Sequence, residues 1–280
     1  MSRYLVYDVF TDRPFGGNQL AVFPDASDLD PNRLQDIAAE FNFSEVTFVY
    51  PPTTASADAR VRIFTPTMEI PFAGHPTIGT AIALSDLGRG DDLTLELGIG
   101  PIECRVREGQ ASFLTAVALE RLAEPDADLV AAALGLPPEA IDTAEHPPVQ
   151  VTIGLPFTIV ALRSRADLSA IQTDIARFRE GAVRYPTQMD FAIFAYVRDG
   201  DTCHARMFAP LDNIPEDPAT GSACATLAAL LYDLRGTPQE LRVHQGDDMG
   251  RPSRIGLSVD AAGVTVSGAA VRVMAGEFLV

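Results

Sequence analysis

The sequence predicts an α+β protein of two pseudo-symmetric domains, each a rolled, mostly antiparallel sheet around a central helix. Three observations predict it. Arg62-Ile63-Phe64-Thr65-Pro66 and Ile70-Pro71 return as Arg206-Met207-Phe208-Ala209-Pro210 and Ile214-Pro215, at a constant offset of 144 residues. Each copy then enters a turn rich in Gly, Pro and Thr: Phe72-Ala73-Gly74-His75-Pro76-Thr77, and Glu216-Asp217-Pro218-Ala219-Thr220-Gly221-Ser222. Each turn opens into small residues, with Ala81 and Ala225 still at the 144 offset. A helix such as Ala223 to Leu231 is apolar nearly all round and must be buried. Many short strands flank each helix without alternating one for one with helices, which disfavours a doubly wound parallel sheet. A sheet wrapped around a helix satisfies both patterns.

The elements follow in order. Residues 3–10 alternate as a strand, Thr11 to Asn18 form a Gly-rich turn, and Leu20 to Phe23 are extended. Asp30-Pro31 reads as an N-cap with Pro at the first helical position, starting a helix to about Phe41. Strands are expected at 46–50 and 60–64, a small-residue helix at 77–87 stopped by Gly88, and strands at 93–97, 102–107 and 112–117. Asp126 to Leu134, ended by Gly135, reads as a surface helix, and Glu145 to Pro148 as a loop. Strands follow at 149–153, 157–162, 190–197 and 202–208, a second small-residue helix at about 219–234, and strands at 241–245, 255–259, 264–267 and 270–279. This places the domains at 1–118, completed by a C-terminal strand over 269–280, and at 119–268.

Composition bounds the function. The chain has 280 residues, 47% of them apolar, enough for about two domains. Its formal charge is −17, and all 21 basic residues are Arg. Without lysine there is no Schiff-base chemistry and no P-loop. The acidity argues against nucleic acid or an anionic membrane as partner. No apolar run reaches the roughly 20 residues of a membrane span, and Met1 to Asp8 reads as a strand rather than a leader, so a cytoplasmic protein is expected. Cys104, Cys203 and Cys224 suggest no disulfide framework. His75, His146, His204 and His244 are isolated, so no metal site is expected. No Gly-x-Gly-x-x-Gly follows a strand.

A few residues are placed for chemistry. Glu45 stands at the mouth of the apolar strand Val46-Thr47-Phe48; the bland alternative is an exposed strand-end carboxylate. In a dry cleft, desolvation would make it a usable acid and base. Asp217 precedes Pro218 in the pattern of an N-cap with Pro at N1, which is ordinary helix grammar. Ser222 lies in the first turns of the second helix, able to reach a ligand or to bond its own helix. His75 lies at a helix start, where positive charge is disfavoured, so it should be neutral. Two helix N-termini would present N–H groups to an anion.

Gly17-Asn18-Gln19-Leu20, Asn42-Phe43-Ser44-Glu45-Val46, Phe72-Ala73-Gly74-His75-Pro76-Thr77, Glu216-Asp217-Pro218-Ala219-Thr220-Gly221-Ser222 and Gln245-Gly246-Asp247-Asp248-Met249-Gly250-Arg251-Pro252-Ser253 together resemble the PhzF family of phenazine-biosynthesis-like proteins. The motifs run in family order along the whole chain. The resemblance implies a diaminopimelate epimerase-like fold with an active site between two domains. It further implies a cofactor-free isomerase acting on a small carboxylate, such as trans-2,3-dihydro-3-hydroxyanthranilate, and a homodimer. Carried over by position, Glu45 is the acid/base group, with His75, Asp217 and Ser222 in support. Asn18, Gly74 and Gly221 bind substrate. Two other classes remain open at this stage. A thiol epimerase would need a cysteine at each helix N-terminus, but the first turn has none and Cys224 lies seven residues past Asp217. A non-catalytic binding protein could keep the same cleft.

Overall fold

A computed structural model describes residues 1–279. The chain divides into two compact units. Unit 1 is Met1–Leu114 with the segment from Thr265 onward, and unit 2 is Thr115–Val264. Both divisions fall within strands.

Unit 1 contains β1 (Ser2–Val9), β2 (Asn18–Phe23), α1 (Leu34–Phe41), β3 (Glu45–Tyr50), β4 (Ala59–Phe64), β5 (Glu69–Ile70), α2 (Gly74–Asp86), β6 (Asp92–Leu97), β7 (Gly100–Arg107) and β8 (Gln110–Thr115). β1 pairs antiparallel with β2, β2 parallel with β3, β3 antiparallel with β4, β4 parallel with β6, and β6 antiparallel with β7. Unit 2 contains β9 (Glu120–Ala123), α3 (Ala127–Ala133), β10 (Val149–Thr152), β11 (Pro156–Ala161), α4 (Arg165–Ser169), α5 (Ile175–Arg184), β12 (Ile193–Asp199), β13 (Thr202–Ala209), β14 (Ile214–Asp217), α6 (Gly221–Arg235), β15 (Gln239–Gln245) and β16 (Ser253–Asp260). β10 to β13, β15 and β16 repeat the same series: antiparallel, parallel, antiparallel, parallel, antiparallel. β17 (Gly263–Phe278) is one strand where two were expected, and from Ala270 it pairs along β1 in unit 1.

The central helices are buried as their composition requires. In α2 every residue from Gly74 to Leu84 is buried. At Gly79 a Cβ would lie 2.6 Å from Leu20 and 2.7 Å from Val9, so the helix approaches the sheet closely only because no side chain intervenes. The outer face of unit 1 packs Ala21, Phe23, Val46, Phe48 and Phe64 against Leu34 and Ile37 of α1. The outer face of unit 2 is covered by α3 and α5, with Phe178 set among Val160, Phe191, Ile193 and Phe208. Strands covered on both faces read as continuous apolar runs. The 126–134 helix is therefore not a surface element, since Leu129, Val130, Ala131 and Ala133 of α3 are buried. The sequence pattern predicts no helix over 163–189, yet α4 and α5 lie there. Polar and charged residues interrupt their apolar patterns, but Ser164 and Asp174 cap both helix starts.

The repeat extends to side-chain chemistry. Arg62 forks onto Glu69 with two 2.7 Å bonds, and Arg206 onto Glu216 with two 2.8 Å bonds. Each guanidinium also lies over the Phe two residues on, at 5.0 Å from Phe64 and 4.9 Å from Phe208. The 144 offset does not persist into the helices, because α2 starts at Gly74 and α6 at Gly221, 147 residues apart. Strand pairing shows where the three extra residues go. Ile63 pairs with Ile70, whereas Met207 pairs with Asp217 across a bulge. The insertion is absorbed in the turn around Asn213, whose φ is 61°.

Arg206 is more enclosed than Arg62, with 10% against 24% of the side chain exposed, and it also donates to the Leu168 carbonyl at 3.0 Å. Arg206→Ala should destabilise unit 2 by about 3 kcal/mol, because Glu216 is left without its partner. Arg62→Ala should cost about 1 kcal/mol. Urea denaturation of both variants checks the difference, and equal losses would contradict it.

Candidate functional site

In unit 1 the expected residues gather at the start of α2. Side chains alternate along β3. Val46 and Phe48 face outward, so Glu45 and Thr47 face the helix. Thr80 of α2 donates to Thr47 at 3.0 Å, fixing the helix against the strand. His75, the second residue of α2, then has its Nδ1 3.3 Å from Glu45 Oε2. The two side chains are 5% and 15% exposed. Burial lowers the His75 pKa to about 3, with the Gln19 backbone acting weakly the other way. The imidazole is therefore neutral, and its contact with Glu45 is not an ion pair. Burial is the main reason for the neutrality expected from the helix start. Asn18 is buried at the head of β2, and its Oδ1 accepts from Ser44 at 3.2 Å, tying down the residue before Glu45. Gly74 opens the helix after Ala73, which supplies no side-chain cap.

In unit 2 the corresponding turn corrects one expectation. Asp217 is not the N-cap with Pro218 at N1. It ends β14, the cap position is Thr220, and α6 begins at Gly221. The extra residues displace the helix start by three positions. Asp217 is buried, and its carboxylate accepts from Thr220 Oγ1 at 2.5 Å. Gly221 is buried and Ser222 half-buried in the first turn, with no side-chain cap before them.

Sequence reasoning assigned no role to the residues that hold this turn. Gln245, at the end of β15, accepts from the Thr220 N–H at 3.1 Å. It donates to the Asp217 carbonyl at 2.7 Å and to Thr220 Oγ1 at 3.0 Å. Ser253 donates to the Pro218 carbonyl at 2.7 Å. Gly246 has φ 75°, and a Cβ there would stand 2.4 Å from the Arg251 carbonyl and 2.7 Å from that of Pro218. The available signal was the polar run from Gln245 to Ser253, which no local propensity explains.

The structure thus brings Asn18, Glu45, Gly74 and His75 together in unit 1, and Asp217, Gly221 and Ser222 together in unit 2. Each helix start offers first-turn N–H groups and the positive end of a helix dipole, suited to an anion. Cys224 is fully buried, and burial raises its thiol pKa well above the ordinary value. Both features disfavour a thiolate there.

Comparison with known proteins follows the same lines. The family model for phenazine biosynthesis-like proteins matches residues 7–276. The trans-2,3-dihydro-3-hydroxyanthranilate isomerase of Pseudomonas aeruginosa is 39% identical over 277 residues, covering 95% of this chain and 94% of that protein. The crystal structure of a Bacillus anthracis phenazine biosynthesis protein of the PhzF family matches with TM-score 0.84 and 26% identity, covering 100% of this chain and 99% of that one. A probable proline racemase from Agrobacterium radiobacter matches at TM-score 0.64 and 13% identity, over 100% of this chain and 93% of that one. The last likeness is one of fold alone.

Two measurements check the electrostatics and the clamp. The His75 imidazole should stay neutral from pH 8 to pH 5 by 15N NMR. Its folded pKa is about 3 against 6.5 in the unfolded chain. The unfolded state therefore takes the proton first as pH falls. The stability this histidine allows is full above pH 6.5 and is lost between 6.5 and about 3, by about 1.4 kcal/mol per pH unit. Gln245→Leu should destabilise by about 2–4 kcal/mol, because it strands a buried N–H and a buried carbonyl. It should also speed amide exchange at Thr220.

Proposed function

The chain belongs to the phenazine biosynthesis-like family, and on that premise we propose that it is a cofactor-independent isomerase that moves a proton between two carbons of a small carboxylate. The observation that carries this is the contact of Glu45 with a buried, neutral His75 at the open end of α2.

The steps balance on a single group. Glu45 takes a proton from one carbon, breaking that C–H bond. The electron pair shifts along the adjoining double bond. The carboxylic acid so formed returns the proton to a second carbon on the same face, and the carboxylate is restored. His75, whose ring N–H bonds the Gln19 backbone, stands 3.3 Å from the Glu45 carboxylate and walls it in without lending it positive charge. Asn18 steadies the entry to β3 through Ser44 and contributes to substrate binding. The Gly74 N–H, at the positive end of α2, holds a substrate oxygen on which charge develops. For unit 2, Asp217 and Ser222 are proposed as supporting catalytic groups, and the Gly221 N–H as a substrate-binding donor.

The Pseudomonas aeruginosa relative makes trans-2,3-dihydro-3-hydroxyanthranilate the first substrate to try, followed by other cyclic amino acids. The buried Cys224 gives no support to a thiol epimerase. Among the described residues, no helix is long and apolar enough to cross a membrane.

Small carboxylates incubated with the protein in heavy water should gain deuterium at carbon. Glu45→Gln keeps the shape of the side chain but cannot carry the proton, so turnover should fall by about 10²–10⁴-fold. Ligand affinity should change far less. Cys224→Ser should leave turnover nearly intact. A fully active Glu45→Gln with a dead Cys224→Ser would overturn the mechanism.

A further inference from the structure

The four histidines stand apart in the sequence, yet two of them meet in unit 2. β13 and β15 run parallel and in register, with His204 opposite His244. Their rings lie 5.0 Å apart at 78°, edge to face. Three residues past His244, Asp247 opens a tight turn between Gly246 and Gly250, both with positive φ. That turn brings its carboxylate back over the two imidazoles. One donor atom from each of His204, His244 and Asp247 lies within 4.8 Å of the other two.

We propose that His204, His244 and Asp247 form a binding site for a single divalent transition-metal ion of the zinc class. Two imidazoles and one carboxylate are a suitable donor set for such ions, and water completes the shell. Zinc holds such ligands at about 2.0–2.2 Å, so donors around one ion stand roughly 3.3–3.5 Å apart. Closing from 4.8 Å takes side-chain rotation of about 1 Å. Two further observations point to a ligand. Nδ1 of His204 is buried and makes no hydrogen bond in the protein. Both histidines sit on neighbouring strands of a sheet, a rigid base for a coordination site.

The charged neighbours permit it. Arg254 reaches Asp247 at 3.3 Å and Arg165 at 3.9 Å. Both guanidinium side chains are nearly half exposed, at 49% and 44%. Exposed pairs of this kind are weak, and the side chains can turn to solvent when a cation takes their place. Asp199 adds a second negative charge close to His204. The site uses none of the residues assigned to proton transfer, and stands or falls independently of that reaction.

The test is calorimetric titration of chelator-stripped, full-length protein with zinc chloride. One ion should bind per chain, with a dissociation constant on the order of micromolar or tighter. Cobalt should give the visible bands of a four- or five-coordinate ion without sulfur charge-transfer absorption. His204→Ala and His244→Ala should each weaken zinc binding by about 100-fold or more, and Asp247→Asn by about 10-fold or more. If the histidine variants do not fold, the wild-type protein decides by 15N NMR. Zinc should shift the ring nitrogens of His204 and His244 and leave those of His75 and His146 in place. An absence of binding at about 100 μM zinc, sulfur ligation of cobalt, or unchanged affinity in a folded His204→Ala/His244→Ala double variant would overturn the site.

Discussion

Everything about the candidate site follows from enclosing a whole helix inside a rolled sheet. A helix in the middle of a sheet has no face for charged side chains and must fit small or apolar ones all round. α2 therefore uses Gly, Ala, Thr and Ile, and at Gly79 nothing beyond a hydrogen fits against Leu20 and Val9. The same enclosure leaves a problem at the helix start. First-turn N–H groups need partners, but neither Ala73 nor Thr220 caps its helix with a side chain. An anion is the natural complement of such an end, so the fold that buries the helix also prepares a place suited to one.

The two halves solve the turn before the helix in different ways. Unit 1 uses a two-residue strand, β5, and places His75 and Pro76 in the first turn, where Pro lacks the N–H that would otherwise need a partner. Unit 2 inserts three residues and lengthens the strand to four, ending it at Asp217. A longer turn needs more support, which Gln245 and Ser253 supply from the neighbouring strands. The Arg–Glu fork and the Arg–Phe stack persist in both copies because they brace the strand before the turn. The two copies thus share the support and differ in the turn that leads into the helix.

What the sequence made legible divides along the same line. Buried helices and short strands were readable because burial imposes composition directly: Ala223 to Leu231 has almost no polar residue to place outside. The helix boundary at Asp217 was not readable, because Asp-Pro satisfies local helix grammar equally well three residues too early. Only the pairing of Met207 with Asp217 shows that the strand continues. α4 and α5 were missed because they cover the outside of a sheet, where a partial apolar face suffices. His204 and His244 read as isolated because their meeting depends on strand order, which sequence spacing does not encode. Glu45 stands out in the sequence chiefly through its motif; the orientation in β3 that brings it beside His75 depends on which face α1 covers.

The overall charge sharpens the role of the short-range donors. At −17 the protein would repel the proposed anionic substrate at a distance. Salt confines that repulsion to about 10 Å, but nothing in the net charge draws a carboxylate inward. Binding must come from groups that act only at contact, and helix-start N–H groups are of that kind. A cationic residue beside Glu45 would attract the substrate, yet it would also stabilise the carboxylate and weaken it as a base. A neutral His75 avoids this conflict, since it lies against Glu45 without lending it positive charge. The three cysteines offer no alternative base. Burial pushes the thiols of Cys104 and Cys203 up to about 12 and that of Cys224 well above its ordinary value. For the proposed isomerisation, a partly exposed carboxylate beside an uncharged imidazole suits a group that must both receive a proton from carbon and give it back.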